Sequence, residues 1–152
     1  MSITGKLARE FDYSTEVIDL DQAFFPNPWT TEQWLSTPFD QHLLFTWRTS
    51  ERVIGYALFQ ALSGDDLAHL LKILLIPDCR GQGEAKAFWS KILEELRGLG
   101  LKNIYLEVEA SNASAIRFYE KCGLQVLRRN KAYYSNGEDA LIMSMTLEDK
   151  RV

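Results

Sequence analysis

The chain has 152 residues, of which 46% are hydrophobic and 25% charged, and its formal net charge is −4. These values predict one globular domain over residues 1–152 with enough apolar content for a core. A negative net charge argues against direct nucleic-acid binding, because phosphate contacts need clustered Lys and Arg. No apolar stretch is long enough to cross a membrane and no leader pattern begins the chain. A soluble cytoplasmic protein without a membrane partner is therefore expected.

Cysteines are few and basic residues form only one short cluster, so neither type indicates a function. Cys79 and Cys122 lack the spacing of metal ligands, so we expect no metal site and interpret both as small packing residues. Arg128, Arg129 and Lys131 form the only short basic cluster. The acidic balance would favour encounter with a basic partner, although ordinary solubility explains it equally well.

Hydrophobic periodicity predicts alternating helices and strands. A first helix is predicted over 14–24 and stopped by Pro26. Its buried side is predicted to comprise Val17, Ile18, Phe24 and Phe25. Thr30 and Gln33 have the spacing of a capping box, which predicts the start of a second, short helix. Strands are predicted over residues 42–47, 53–60, 67–76, 103–109, 124–129 and 140–147.

A glycine-containing turn is the most informative motif. The segment Arg80-Gly81-Gln82-Gly83-Glu84-Ala85 follows the apolar 67–76 strand and opens a helix predicted over 84–97. Glycine permits close backbone approach to a ligand, and a helix N-terminus adds unpaired N–H groups and the positive end of the helix dipole. An anion such as a pyrophosphate suits this arrangement. On this segment alone, a turn that uses glycine only for its φ angle is the commoner interpretation.

A second motif lies downstream, and together the two motifs favour a ligand-binding role for the glycine-containing turn. One family pattern reads Gln or Arg, two residues, Gly, one residue, then Gly or Ala, and is met by Arg80, Gly83 and Ala85. Another reads Asn, two residues, Ala, three residues, Tyr, three residues, Gly. It is met by Asn112, Ala115, Tyr119 and Gly123. In both motifs the chain resembles the GNAT superfamily of acetyl-CoA-dependent N-acetyltransferases.

Four segments extend the resemblance to the ribosomal-protein-alanine N-acetyltransferases (RimI-type). They are residues 25–29, the glycine-containing loop, residues 106–112, and residues 128–130 with 133–140. The resemblance implies a single-domain α/β GNAT fold, with a central mixed, mostly antiparallel curved sheet flanked by helices and a splayed pair of strands at the cofactor site. It also implies acetyl-CoA as co-substrate and an acceptor with a free amino terminus, first of all the N-terminal alanine of a small-subunit ribosomal protein.

The resemblance implies where acetyl-CoA binds. The cofactor-binding residues are then Ile73, Leu74, Leu75, Arg80, Gly81, Gln82, Gly83, Glu84, Ala85, Lys86 and Asn112. The pantetheine arm would pair with the strand backbone, and Asn112 would both cap its helix and bind the arm. Glu84 departs from the apolar residue usual in the family. Its charge is expected to weaken pyrophosphate binding unless the side chain turns outward.

Acetyl transfer to an amine requires a base, because a free α-amino group has a pKa of about 7.7–8.0. Along the 103–109 strand, alternation places Tyr105, Glu107 and Glu109 on one face. A solvated surface role is the commoner interpretation of such a carboxylate. The resemblance favours Glu107 as the base, with Glu109 orienting the acceptor.

The resemblance also implies an acid and an acceptor groove. Tyr119 would protonate the departing thiolate of CoA, although a core tyrosine is the alternative. Trp29, Tyr133 and Tyr134 would contact the acceptor, with aromatic packing as the alternative. His42 and His69 are interpreted as hydrogen-bonded structural residues. Three functions remain open: the ribosomal acetyltransferase, a GNAT enzyme for another protein N-terminus, lysine or small amine, and a non-catalytic CoA-binding module.

Overall fold

A computed structural model describes residues 5–50, 52–61, 64, 66–77 and 83–147. In this part of the chain, seven strands form one sheet and four helices pack against it. The strands are β1 (Lys6–Glu10), β2 (His42–Arg48), β3 (Val53–Gln60), β4 (Leu67–Leu75), β5 (Asn103–Glu109), β6 (Gln125–Asn130) and β7 (Ala140–Thr146). The helices are α1 (Thr15–Phe24), α2 (Thr31–Leu35), α3 (Glu84–Gly98) and α4 (Ala113–Lys121). None of the described helices is long and apolar enough to cross a membrane.

The sheet opens between its two central strands. The strand order is β1-β2-β3-β4-β5-β7-β6, and all neighbours are antiparallel except β4 and β5. That parallel pair ends at His69 and Tyr105, whereas β4 stays paired with β3 up to Leu75 and β5 stays paired with β7 up to Glu109. The carboxyl-terminal parts of β4 and β5 therefore diverge. This confirms the predicted mixed, mostly antiparallel sheet with a splayed pair.

Each face of the sheet carries its own hydrophobic core. On one face, Ile104 and Leu106 of β5 pack with Phe88, Ile92 and Leu96, which form one stripe along α3. On the other face, α1 and α2 cover a smaller core. Its buried members are Tyr13, Val17, Ile18, Trp34, Leu44, Tyr56, Leu58 and Leu74. Burial of each large apolar side chain stabilises the fold by roughly 1.5–3 kcal/mol.

A bulge in β4 decides which side chains face α1 and α2. The register with β3 shifts so that Leu58 pairs with Lys72 while Phe59 pairs with Leu70, which leaves Leu71 as an extra residue. In a regular strand, His69 and Lys72 would point to opposite faces because they are an odd number of residues apart. With the bulge, both point to the face that carries α1 and α2, where they meet Glu107 and Asp21.

The element predictions hold with three corrections. Ser14 caps α1, and the predicted capping box at the start of α2 is present. Phe24 is 44% exposed, so its predicted burial is wrong, and the fully buried Asp21 lies on that side of the helix instead. The helix predicted over 84–97 extends one residue further in α3, to Gly98. The edge strand β1 was not predicted, because its sequence is short and mostly polar.

Candidate active site

Glu107 lies where β4 and β5 separate, and both of its carboxylate oxygens have partners. Its Oε2 lies 2.5 Å from Nε2 of His69 on β4, and the hydroxyl of Tyr133 donates to its Oε1 across 3.4 Å. The hydrogen bond from His69 lowers the pKa of Glu107 below its ordinary value, although partial burial acts in the opposite direction. Glu107 is therefore ionised at neutral pH, so Nε2 of His69 is the donor.

Both histidines form hydrogen bonds, as predicted, but their partners differ. His42 places Nδ1 at 2.7 Å from the carbonyl oxygen of Pro38, which is a structural contact as predicted. His69 also forms a hydrogen bond, but its partner is the candidate base. Its ring stacks on that of Tyr105, with centroids 4.1 Å apart and an interplanar angle of 13°. Sequence reasoning missed this pair, because only the β4–β5 register shows that His69 lies beside β5.

The loop between β6 and β7 brings Tyr133 and Tyr134 to the site. Asp139 holds this loop by accepting hydrogen bonds from the backbone N–H of Ala132 at 2.9 Å and from Nε of Arg129 at 2.6 Å. Both contacts lower the pKa of Asp139, with the Ala132 contact the stronger cause. Ala132 has a left-handed backbone conformation, with a φ of +49°. It directly precedes Tyr133, whose hydroxyl contacts Glu107.

Two further side chains lie near the Glu107 carboxylate. Glu109 is half-buried one pleat beyond Glu107 on the same face of β5. Burial raises the pKa of Tyr134 to about 12, and the charges of Glu107 and Glu109 add to the effect. Tyr134 therefore stays protonated at neutral pH and presents a hydrogen-bond donor beside the two carboxylates.

Tyr119 projects from α4 and is half-buried against the larger core. Burial raises its pKa to about 12, with smaller contributions from Cys122 and Tyr134. Within the part of the chain that the structure describes, no hydrogen bond engages its hydroxyl. A tyrosine kept only for packing usually gives its hydroxyl a partner. The hydroxyl is therefore available to donate a hydrogen bond.

Asn112 caps α4, as predicted. Its side-chain oxygen accepts from the backbone N–H of Ala115 at 3.2 Å. Cys122, near the other end of that helix, is a half-buried free thiol that packs against the larger core. Burial raises the pKa of this thiol to about 11, whereas the charge of Lys86 lowers it. The Cys122 thiol therefore stays protonated at neutral pH, because its buried surroundings disfavour a thiolate.

The glycine-containing loop is described only in part. Cys79, Arg80, Gly81 and Gln82 lie outside the described residues. Gly83 precedes α3 with a φ of +79° and forms no side-chain cap, so the first N–H groups of the helix project from its end. A Cβ atom built on Gly83 would have no described atom within 4 Å. Ala85 is half-buried and Lys86 exposed on the first turn.

The Glu84 side chain points neither towards the expected ligand nor outward. The expectation was that its carboxylate either faces the ligand or turns outward to solvent. Instead, the side chain is buried and its Oε1 accepts hydrogen bonds from the backbone N–H of Gly5 at 2.9 Å and from Nε1 of Trp47 at 3.3 Å. The carboxylate therefore ties β1 and β2 to the start of α3.

The strand residues assigned to the cofactor lie on the diverging part of β4. Ile73 is half-buried and, like Leu75, packs with the larger core, whereas Leu74 packs with the smaller one. Their backbone runs past the point at which β4 leaves β5. No group of three or more His, Cys, Asp or Glu side chains among the described residues is arranged to hold a metal ion.

A buried ion pair joins this strand to the segment that carries Trp29. Nζ of Lys72 lies 2.9 Å from Oδ1 of Asp21, and both side chains are almost completely buried. Asp21 also accepts hydrogen bonds from the hydroxyl of Tyr56 at 2.5 Å, from Nε1 of Trp34 at 3.0 Å and from the backbone N–H of Trp29 at 2.8 Å. The Asp21 carboxylate thus organises α1, α2 and two strands around one point.

Three aromatic rings enclose the Lys72 ammonium. Nζ lies 4.1 Å from the ring centroid of Phe25, 4.8 Å from that of Trp29 and 5.6 Å from that of Trp34. Burial lowers the pKa of Lys72 below its ordinary value, against the opposing effect of Asp21. The partner of Lys72 is 51 positions away in the sequence, which no local pattern reveals.

Comparison with known proteins supports the assignment made from the motifs. The model of the acetyltransferase (GNAT) family matches residues 14–124. This chain belongs to the GNAT family of acetyltransferases. Ribosomal protein bS18-alanine N-acetyltransferase of Escherichia coli is 32% identical over 143 residues, which cover 88% of this chain and 95% of that protein. The chain is accordingly an N-acetyltransferase, and the proposal of a non-catalytic module is set aside.

Solved structures share the fold of this GNAT enzyme. The crystal structure of a ribosomal-protein-alanine N-acetyltransferase from Escherichia coli matches with a TM-score of 0.80 at 26% identity, covering 97% of this chain and 99% of that one. A Bacillus subtilis acetyltransferase in complex with CoA matches with a TM-score of 0.76 at 15% identity, covering 95% and 100% of the two chains. The second likeness concerns the fold alone, in a protein that binds CoA.

Proposed function

We propose that this GNAT enzyme transfers the acetyl group of acetyl-CoA to the N-terminal alanine of a small-subunit ribosomal protein. The observation that carries the proposal is the ionised Glu107 carboxylate at the opening between β4 and β5, on the face that also presents Tyr133. The name of the 32% identical relative supports this acceptor. Another protein N-terminus, a lysine or a small amine is the alternative acceptor for the same chemistry.

Acetyl-CoA would lie along the part of β4 that diverges from β5 and across the start of α3. The pyrophosphate would meet the backbone N–H groups from Arg80 to Lys86, where Gly83 keeps the approach clear. The pantetheine arm would pair with the backbone from Ile73 to Leu75 in the manner of an added strand. The side-chain amide of Asn112 would donate to that arm while its oxygen caps α4.

Proton removal from the acceptor falls to Glu107. The α-ammonium group must lose a proton before its nitrogen can attack the thioester carbon, and the ionised carboxylate accepts it directly or through a water. Attack then forms the C–N bond and places the negative charge on the former carbonyl oxygen. Backbone N–H groups of the diverging β4 would stabilise that oxyanion.

Collapse of the intermediate breaks the C–S bond and expels CoA as a thiolate, which takes a proton from Tyr119. The nitrogen then loses its remaining extra proton, which returns to Tyr119 through solvent. Glu107 releases to solvent the proton that it took from the ammonium group, so one proton is released overall. A tyrosine of pKa about 12 is a weak acid for an ordinary thiolate, whose parent thiol has a pKa of about 8.5. Burial, however, raises the pKa of the neighbouring Cys122 thiol to about 11. A CoA thiolate formed in similarly buried surroundings would also be a stronger base than in water, which would favour proton transfer from Tyr119.

The acceptor peptide would lie on the face of the sheet that carries α1 and α2. Trp29, Tyr133 and Tyr134 would form its walls, and Glu109 would attract its positive charge. An acidic enzyme also favours encounter with a basic ribosomal protein. With acetyl-CoA and a ribosomal protein as its substrates, the enzyme would act in the cytoplasm.

A peptide panel tests the acceptor. Peptides that differ only in their first residue, with lysine side chains blocked, are incubated with acetyl-CoA while thiol release and peptide mass are followed. We expect the alanine-initiated peptide to react fastest, with one thiol released for each acetylated peptide. An N-terminally blocked peptide with a free lysine and a small amine are assayed in parallel. A faster reaction of either one would support the alternative acceptor.

Replacement of Gly83 by Val tests the placement of the pyrophosphate. We expect acetyl-CoA affinity to fall at least about tenfold, because the side chain would occupy the open space in front of the helix N-terminus. Left-handed φ also costs a residue with a side chain roughly 1–2 kcal/mol, so stability should fall modestly. Calorimetric titration measures the affinity.

Gly100→Val is the matched control for that strain. Gly100 has a φ of +83° and equally open surroundings, but it lies beyond the other end of α3. It should lose similar stability and keep its affinity for acetyl-CoA. Equal affinities in the two folded variants would remove Gly83 from the binding site.

Replacement of Tyr119 by Phe separates catalysis from packing. We expect kcat to fall about 10²-fold, at the lower end of acid–base effects because a weak acid is partly replaced by water. Acetyl-CoA affinity and melting temperature should stay close to wild type, and a more acidic leaving thiol should reduce the loss. Steady-state kinetics with thermal unfolding measures all three.

Tyr13→Phe provides the control. The Tyr13 hydroxyl is also buried without a described partner, and burial raises its pKa to about 12, but it lies in the smaller core. Its removal should leave kcat unchanged. An unaltered kcat in Tyr119→Phe as well would make Tyr119 a packing residue and leave proton donation to water or a neighbouring side chain.

A further inference from the structure

We propose that His69 is a positioning residue that holds one oxygen of Glu107 and so presents the other to the acceptor amine. The inference rests on the proposed role of Glu107 as the base. It assigns a specific task to each carboxylate oxygen, Oε2 to His69 and Oε1 to the substrate.

The two contacts of the carboxylate are unequal. Nε2 of His69 lies 2.5 Å from Oε2, whereas the Tyr133 hydroxyl lies 3.4 Å from Oε1. Hydrogen bonds beyond about 3 Å between oxygens are weak. An incoming ammonium group can therefore displace or share the Tyr133 contact, but it cannot readily compete with His69 for Oε2. Tyr133 is also 49% exposed on a loop, while His69 is part of the sheet.

His69 is itself held in place by the fold. Its backbone forms the last pair of the β4–β5 ladder, opposite Tyr105, just before the strands diverge. Its ring stacks almost parallel on the Tyr105 ring, which restricts rotation of the imidazole. On its other side, the residue paired with His69 in β3 is the uncharged Gln60. The donor therefore comes from a rigid element, as a group that orients a base requires.

The effect of His69 on the ionisation of Glu107 also supports its positioning role. The titratable groups around His69 are Glu107 and Tyr105 on β5 and Tyr133 on the β6–β7 loop, with Glu109 and Tyr134 further along the face. The hydrogen bond from His69 is the main cause that keeps the pKa of Glu107 below its ordinary value, against the effect of burial. Loss of the donor should therefore raise the pKa of Glu107 and leave the carboxylate mobile.

Two substitutions of His69 distinguish positioning from packing. His69→Phe keeps a ring against Tyr105 but has no donor, whereas His69→Gln keeps a donor near the position of Nε2. We expect His69→Phe to lower kcat about tenfold with acetyl-CoA affinity unchanged, and His69→Gln to recover most of that loss. The carboxyl titration of Glu107, followed by NMR with labelled glutamate, should move to higher pH in His69→Phe and return towards wild type in His69→Gln.

The double variant keeps this inference separate from the proposed function. In a Glu107→Gln background, His69→Phe should lower kcat no further, because its effect passes through the carboxylate. A wild-type rate in Glu107→Gln alone would overturn the proposed base. A slow Glu107→Gln combined with a folded His69→Phe of wild-type kcat and unmoved Glu107 titration would overturn only the role of His69. A loss in His69→Phe that Gln does not reduce would also contradict it.

Discussion

Replacement of Glu107 by Gln is expected to slow turnover roughly 10²–10⁴-fold at neutral pH. Gln keeps the length of the side chain and can still accept the hydrogen bond from His69, but it cannot take a proton from the acceptor. Since the pKa of Glu107 is held below its ordinary value, its own titration lies well below neutrality. The wild-type kcat/KM should therefore change little through neutral pH, whereas in Glu107→Gln it should rise with deprotonation of the acceptor amine, whose pKa is about 7.7–8.0.

High pH provides the internal check on that expectation. The deficit of Glu107→Gln should shrink as pH rises above the pKa of the amine, because more acceptor is then neutral without help. Glu109→Gln is the matched control, since it alters a carboxylate one pleat away on the same face of β5. It should weaken acceptor binding more than kcat. A Glu107→Gln enzyme with near wild-type rate at pH 7 would transfer the role elsewhere, with Glu109 as the first candidate.

The largest loss of stability is expected from Asp21→Asn. This change leaves the buried Lys72 ammonium without its counter-charge, and breaking a buried ion pair costs roughly 3–5 kcal/mol. Small domains have a total unfolding free energy of about 5–15 kcal/mol. The variant should thus unfold at a much lower denaturant concentration. Asp19→Asn, on an exposed position of the same helix, should change the unfolding free energy by no more than about 0.5 kcal/mol.

A second substitution tests whether charge causes the loss. Lys72→Met combined with Asp21→Asn removes both charges, while Asn can still accept from Trp34 and from the backbone of Trp29. The double variant should recover most of the stability that Asp21→Asn loses. Denaturant unfolding of the two single variants and the double variant measures the coupling. Additive losses in the double variant would mean that packing, and not the ion pair, sets the cost.

Local sequence patterns were sufficient for every described helix and strand except β1, and for one face of the site. Alternation along β5 separated Ile104 and Leu106 from Glu107, and the structure shows the same division. The spacing of Thr30 and Gln33 predicted the start of α2, where the capping box forms. These features depend on residues close together in the chain. Each of these patterns arises from interactions between residues that are close in sequence, so it can be interpreted without knowledge of the fold.

Pairs that are distant in sequence could not be predicted in this way. His69 and Glu107 are 38 positions apart, and their contact depends on the register between two parallel strands. The bulge at Leu71 has no glycine or proline to indicate it, yet it turns Lys72 towards Asp21.

The error at Phe24 has the same origin. Periodicity places apolar residues inside a helix and acidic ones outside. In α1, however, the buried position is taken by Asp21, whose charge is balanced by Lys72 on β4. Phe24 is left partly exposed beside it. Without knowledge of the partner on another strand, the apolar assignment was the only one that the pattern could support.

Direct acetyl transfer to an α-amino group is the central claim, and mass spectrometry of one reaction tests it most directly. The enzyme is mixed with acetyl-CoA labelled in the acetyl group and an alanine-initiated peptide that contains an internal lysine. Both peptide and enzyme are then fragmented at early and late times. We expect the label only on the α-nitrogen of alanine, with none on the enzyme at any time. Label on the lysine side chain, or on an enzyme residue before the peptide, would contradict the account.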